Sequence, residues 1–389
     1  FLEHEKLDYI SYPYEWGFQQ LKDAALHHLN FQIFLLERNA ILIDSSAFNI
    51  QFKNNKPIFI DVLSIDKYVE GEYWKGHSQF LQQFLNPLLL RSLKGISFND
   101  WYRGNLDGIK TTDLNSLLNL KDKLSFNVFF SVVLLSKLEM KNTRNPKAAL
   151  KKINEKKPLS KNSYRGLLIQ LKNWIKKLTP LKTKTEWDSY SISNTYEKEQ
   201  ENKKIQVIKK FSNKIKPNLM ADIGCNDGLY SFESLKAGCK KAVGFDIDIN
   251  AIDRAYKNSL KNNFNFLPLY FNATNPSAKL GWYEQERESF IDRLNFDAVI
   301  ALAFEHHLAL GQNIPLEDTV SWIMKIAKNG LIEYVEKTDE TVKRMLSLKG
   351  DIFPNYNQNN FEKNILLNGK IVDKTIISKT RIIYEFETN

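Results

Sequence analysis

Residues 219–248 read LMADIGCNDGLYSFESLKAGCKKAVGFDID. A short apolar run ends at Asp222, a loop carries Gly224 and Gly228 around Asn226, a helical stretch follows, and a second run closes on Asp246 and Asp248. Glycine in such a loop lets the backbone approach a ligand with no Cβ in the way. The start of the following helix presents unpaired N–H groups. A pyrophosphate cradle would read G-x-G-x-x-G, but this string reads D-x-G-x-N-x-G. A carboxylate inside the loop repels phosphate and attracts an ammonium group. Asp246, at the end of the second run, is placed to accept hydrogen bonds from two ribose hydroxyls. The ligand implied has an ammonium group, a ribose and no pyrophosphate, and S-adenosylmethionine (SAM) meets that description.

Such a loop needs a scaffold of parallel strands, and residues 187–389 alternate strand and helix patterns. The candidate strands are LMADI, AVGFD, FLPLYF, FDAVIALA and GLIEYV. Helical windows lie between them, around 229–237, 250–260, 317–328 and 338–348. That alternation predicts a doubly wound α/β sheet with helices on both faces. Ligands in such a sheet bind beyond the C-terminal strand ends, at the switch point. The last two runs, KTIISKT and RIIYEFE, extend the sheet as an antiparallel edge.

With these motifs, residues 187–389 resemble a class I SAM-dependent methyltransferase, which implies a Rossmann-like sheet of seven strands. By that resemblance Asp222, Gly224, Asn226 and Gly228 line the methionine end of SAM, and Asp246 holds the ribose with Asp248 beside it. The third strand of that family usually ends in Asp facing the adenine amino group. Here the position is Asn272 in YFNATNPS, whose carbonyl oxygen can accept the same hydrogen bond. The fourth strand runs into FEHHL, where the resemblance implies that the pair His306 and His307, preceded by Glu305, sits near the transferred methyl. Each histidine is either a general base or a local cap of the strand. Glu305 and Glu333 either face an acceptor or are solvated. Arg287 and Trp282 in GWYEQER either bind an acceptor or form a salt bridge and a core indole. Methyl transfer from a sulfonium is an in-line displacement that needs alignment more than acid–base help. A narrower resemblance spans nearly the whole chain. ISYPYEWGFQQLKDAAL, NPSAKLGWYEQERESF, ALAFEHHLALGQNIPL and DIFPNYNQNNFE together resemble the methyltransferases similar to rhizobial nodulation proteins.

Residues 1–140 are helix-rich, with two short β-like runs, FNIQF and PIFIDVL, split by KNNKP. Asp44 is followed by Asn49 five residues later, and Asp61 ends the second run. That spacing resembles a kinase catalytic loop and its metal-binding Asp, in the C-lobe of an aminoglycoside-phosphotransferase-like fold. The resemblance implies that Asp44 orients a hydroxyl and that Asn49 and Asp61 hold magnesium. There is no His-Arg before Asp44 and no Gly after Asp61, and a Gly-rich loop with its lysine would lie upstream of Phe1. The plain alternative is three turn-favouring residues in turns.

Length and composition frame these motifs. At 389 residues, two domains are the expected count. Residues 141–186 are Lys-rich and read as a linker. Within it YRGLLIQLKNWIKKL gathers Leu167, Leu168, Leu171, Trp174, Ile175 and Leu178 on one helical face, as expected for a connector docked on a neighbouring domain. The formal charge of +10 is spread widely and does not by itself mark a nucleic-acid partner. The two cysteines, Cys225 and Cys239, make neither a disulfide framework nor a metal site, which fits a reducing cytoplasm. VFFSVVLL is far short of a bilayer span. A chain that opens at Phe1 without methionine reads as a fragment or processed product. Three functions remain open: a SAM-dependent methyltransferase acting on a small molecule or glycan, a bifunctional kinase–methyltransferase acting on a surface glycan, and a non-catalytic SAM-binding module.

Overall fold

A computed structural model describes residues 3–53, 55–144, 158–181 and 195–389. The chain divides into two compact units, one of residues 11–184 and one of residues 1–10 with 185–389.

The 11–184 unit begins with α1 (Phe18–Glu37), which buries Leu21, Ala24, Ala25, His28, Leu29, Gln32 and Leu36 along one face. β1 (Ala40–Leu42) follows, then a hairpin of β2 (Ile50–Lys53) and β3 (Lys56–Phe59), then β4 (Ile65–Lys67), which pairs antiparallel with β1. Helix α2 spans 77–94 with a π-helical turn at Leu81–Leu85. Short helices then occupy Asn99 to Arg144. Helix α3 (Lys161–Lys177) is the amphipathic segment, and it packs on α1 within its own unit. Tyr164, Leu168, Leu171 and Ile175 form its buried face, while Trp174 is half-buried. Gln32 donates to the Tyr164 hydroxyl at 2.7 Å, and Lys22 Nζ donates to the terminal carbonyls of Lys176 and Leu178 at 2.9 and 2.8 Å. A cation there complements the negative end of α3. The expected connector is therefore a wall of the 11–184 unit, and residue 140 falls inside the helix Leu135–Arg144.

In the other unit α4 (Thr195–Ile215) leads into β5 (Leu219–Ile223), α5 (Leu229–Lys236), β6 (Lys241–Asp246), α6 (Ile249–Asn262) and β7 (Phe266–Tyr270). Then come β8 (Phe296–Ala301), α7 (Leu316–Met324), β9 (Ala327–Val335), α8 (Glu340–Lys349), α9 (Gln358–Asn368), β10 (Gly369–Ser378) and β11 (Arg381–Thr388). The seven strands lie in the order β7-β6-β5-β8-β9-β11-β10. All point one way except β11, which is antiparallel to both neighbours. This is the expected doubly wound seven-stranded sheet. β5 lies inside it, between β6 and β8, and is buried along its whole length, as a strand covered on both faces must be. The final hairpin departs from expectation in one respect. β11, not β10, pairs with β9, so the antiparallel strand lies inside the sheet and β10 forms the edge. Helix α9 was not legible in its Asn-rich sequence. Asn357 caps it through a bond from Asn360 N at 2.9 Å, and only Phe361, Asn364 and Ile365 are buried.

Residues 3–10 pack on this sheet. Tyr9 meets Phe245 and Phe296 at centroid distances of 5.8 and 5.6 Å, and Arg293 Nη1 donates to the Ile10 carbonyl at 2.7 Å.

Candidate functional site

Strand order reverses between β5 and β8, so the cleft beyond their C-terminal ends is where a ligand finds room. The loop after β5 is held in a left-handed path, with φ of +78° at Gly224, +47° at Asn226 and +88° at Gly228. Gly224 N and Cys225 N both donate to the Phe245 carbonyl, at 2.8 and 3.1 Å, which ties the loop to β6. A Cβ on Gly224 would lie 2.9 Å from the Phe304 ring, so this glycine is required by the aromatic side chain that follows β8.

Asp246 sits across the cleft from that loop. Its Oδ2 accepts from Asn226 N and its Oδ1 from Asp248 N, each at 2.8 Å. Burial pushes its carboxyl above the ordinary range, against those two hydrogen bonds. The structure brings Gly224, Asn226, Gly228 and Asp246 together as one loop-and-acid cradle.

The other expected contacts each have a partner within the protein. Asp222 is buried and accepts from Ser231 Oγ at 2.6 Å, which stitches β5 to α5. Burial raises its carboxyl to about 7. Asp248 caps α6, accepting from Asn250 N and Ala251 N at 2.8 and 3.3 Å. Asn272 makes a local turn, its Oδ1 accepting from Thr274 N and Oγ1 at 3.0 and 2.7 Å. The carbonyl expected to face adenine is thus engaged by its own loop.

The segment after β8 is pinned by buried charges. Ala303 takes φ +50°, and its N–H donates to Glu333 Oε2 at 2.8 Å. Lys204 of α4 donates to the same oxygen at 2.7 Å, and Arg381 of β11 reaches Glu333 Oε1 at 3.4 Å. Arg381 also grips Asp339 through Nε and Nη2 at 2.8 and 3.0 Å. Burial holds the Lys204 ammonium below its ordinary value, partly offset by Glu333. Glu333 is fully buried, not solvated.

Glu305 is fully buried as well, so a solvated role is excluded. Its Oε1 lies 3.2 Å from Val335 N and 2.7 Å from the Tyr356 hydroxyl, which is also 2.6 Å from the Val335 carbonyl. One hydroxyl proton serves only one of those two acceptors, and a proton on Glu305 supplies the other. Burial raises Glu305 to about 8, consistent with that proton. His306 is also fully buried, and neither ring nitrogen has a partner among the described residues. Its ring lies 4.2 Å from that of His307. Burial pushes His306 well below its ordinary value and lowers His307 to about 4, so both imidazoles are neutral at pH 7.

Trp282 is 82% exposed, so it is not a core indole, and Arg287 pairs with its neighbour Glu286 at 2.8 Å. In the 11–184 unit, Asp44, Asn49 and Asp61 do meet. Asn49 Nδ2 donates to Asp44 Oδ2 at 3.3 Å and to Asp61 Oδ2 at 3.1 Å, because the β2–β3 hairpin returns the chain beside its start. Lys204, Glu333, Arg381 and Tyr356 complete the surroundings of the post-β8 segment. Of these the sequence had offered only Glu333, since the others converge from elements far apart in the chain.

A nodulation protein, NoeA of Rhizobium meliloti strain 1021, is 43% identical over 388 residues, covering 99% of this chain and 81% of that protein. The chain belongs to the NoeA family. This NoeA-family chain also matches a methyltransferase family model over part of its length. The model of the ribosomal protein L11 methyltransferase (PrmA) family matches residues 171–301. The tRNA U34 carboxymethyltransferase of Campylobacter lari strain RM2100 is 33% identical over 88 residues, 22% of this chain and 26% of that protein. Among solved structures, the magnesium protoporphyrin IX methyltransferase of Synechocystis PCC 6803 with bound SAH is 16% identical. It covers 51% of this chain and 89% of that one at a TM-score of 0.36.

Proposed function

We propose that the chain is an enzyme that transfers a methyl group from SAM to a small-molecule or glycan acceptor. Gly224, Asn226 and Gly228 form the cradle for the methionine end, and Asp246 binds the ribose. The observation that carries this reading is the Asp246 carboxylate. Its oxygens accept from Asn226 N and Asp248 N, and the backbone N–H of Ile247 also bonds the carboxyl. These bonds fix the acid at the end of β6 beside the glycine loop, where its remaining acceptor capacity would serve a ribose diol.

SAM supplies an electrophilic sulfonium methyl, and the chain's task is to align an acceptor with it. Burial favours the protonated form of Glu305 near pH 7. His306 and His307 stay neutral and are weak bases, suited to shaping the acceptor pocket and accepting hydrogen bonds. Such a site suits an acceptor that is already nucleophilic.

Calorimetry of SAM and S-adenosylhomocysteine with the wild type and Asp246→Ala tests the donor assignment. The variant is expected to lose about 1.5–3 kcal/mol, the range for hydrogen bonds to a charged group. Unchanged affinity would exclude Asp246 from the ribose. Labelled SAM with fractionated cell extract would identify the acceptor. Binding without transfer to any fraction would favour a non-catalytic module.

The convergence of Asp44, Asn49 and Asp61 supports a second reading, a kinase-like unit of residues 11–184. In it Asp44 orients a hydroxyl and the Asn49–Asp61 pair would hold magnesium. Nucleotide-dependent phosphoryl transfer that disappears in Asp61→Ala would support it.

A further inference from the structure

One apolar surface of the 11–184 unit has no part in either reading. Residues 126–144 form a continuous helical run, Phe126–Val128, a π-helical turn Phe129–Leu134, then Leu135–Arg144. Its inner face is already occupied. Val128, Val132 and Val133 are buried, and Ser136 accepts from Asn115 Nδ2 at 3.3 Å on the neighbouring helix Thr111–Leu117. Its outer face is apolar too. Phe126, Phe130, Leu134 and Leu138 recur every fourth residue, and all four are exposed.

In a regular α-helix each such step rotates by about 40°. The wider π turn takes part of that rotation back and keeps the four side chains in line. Phe126 and Phe130 are in ring contact at a centroid distance of 4.7 Å, tilted by 52°, and Leu120 and Leu124 beside them are 83% and 84% exposed. A contiguous apolar surface of this kind marks a docking site.

Charge decides what docks. Residues 117–144 carry Lys121, Lys123, Lys137, Lys141 and Arg144 against only Asp122 and Glu139, and Asp122 is paired with Lys94. Lys121, Lys137 and Lys141 are exposed. The next residues of the sequence, 145–157, add five lysines and one glutamate. Two copies of this face would set lysine against lysine. An anionic lipid surface would receive the aromatic and leucine side chains among its acyl chains and the lysines among its headgroups. We infer that this face is a peripheral membrane-binding surface selective for anionic lipid, independent of how the methyltransferase domain reacts.

Flotation of the full chain with vesicles tests this. The vesicles are phosphatidylcholine alone or phosphatidylcholine mixed with phosphatidylglycerol. The wild type is expected to float with the anionic vesicles and to detach at high salt. Phe126→Ser/Phe130→Ser should stay at the bottom of the gradient with an unchanged circular dichroism melt, since both rings are exposed. Lys137→Gln/Lys141→Gln should weaken anionic binding roughly five-fold for each lysine removed. Wild type that fails to float with anionic vesicles would overturn the inference. So would a phenylalanine variant that floats as well as wild type. A dimer that light scattering detects and the phenylalanine variant dissolves, with no vesicle binding, would assign the face to self-association instead.

Discussion

Asp246, Glu305 and His307 carry ionisable groups in the same half of the molecule, and burial moves each away from its ordinary proton affinity. Glu305 binds its proton more tightly in the folded chain, at about 8, than at the ordinary 4.5 of an unfolded chain. Its contribution to stability is therefore full below about pH 4.5 and is lost as pH rises through 8. Glu305→Gln keeps an oxygen to accept from Val335 N but no longer titrates. Its Tm should fall less than the wild type's between pH 6 and 9 in a calorimetric series, and an identical profile would remove Glu305 as the source. His307 has the opposite sign. Its folded value of about 4 lies below the ordinary 6.5, so stability from its burial is present above pH 6.5 and lost as pH falls toward 4. An exposed histidine acting as a base would give turnover an inflection near 6.5. None is expected here, and His307→Ala should raise acceptor KM more than it lowers kcat. A variant that lost about 10²–10⁴ in kcat at unchanged KM would restore the base assignment.

At the scale of elements, the segment after β8 is positioned by groups from three others. Glu333 on β9 accepts from Ala303 N, Lys204 on α4 and Arg381 on β11. Removing one member of a buried ion pair leaves the other charge uncompensated, at a cost of about 3–5 kcal/mol. Glu333→Ala should lose that much in urea unfolding, and Glu333→Gln, which can still accept from Ala303 N, should lose less. Equal losses would mean that the charge on Glu333 matters little. Sequence pattern showed where β5, β6, β7, β8 and β9 run, because their apolar stretches are continuous and bounded by turn residues. It could not show that β11 inserts beside β9, since an edge strand and an inner strand of one hairpin have similar alternation. It also missed α9, whose three buried residues make a weak stripe.

At the scale of the whole molecule, the chain has two compact units, and the methyltransferase family model matches residues 171–301, mostly in the unit of residues 1–10 and 185–389. If each unit carries its own chemistry, a change in one should leave ligand binding in the other intact. Asp61→Ala is expected to keep wild-type SAM affinity by calorimetry. A matching loss of SAM affinity would show that the Asp44–Asn49–Asp61 cluster supports the donor site instead of a separate one. Among the described residues no helix is long and apolar enough to cross a membrane.

The sequence alone determined the D-x-G-x-N-x-G loop, the acid that closes the second strand and the alternation that makes a parallel sheet. These are local patterns, set by backbone conformation and by periodic burial, and neighbouring residues are enough to show them. It also marked Asp44, Asn49 and Asp61 by spacing. Only the tertiary structure decided which protein groups each acid meets. Asp222, expected at the ligand from its sequence motif, bonds Ser231, and Asp248 caps a helix. Glu305, His306 and Glu333 read as candidate acceptor-side groups near strand ends, with no sign in the sequence that folding buries all three. Burial and pairing depend on which distant elements meet, and those meetings set proton affinity and hydrogen-bonding capacity.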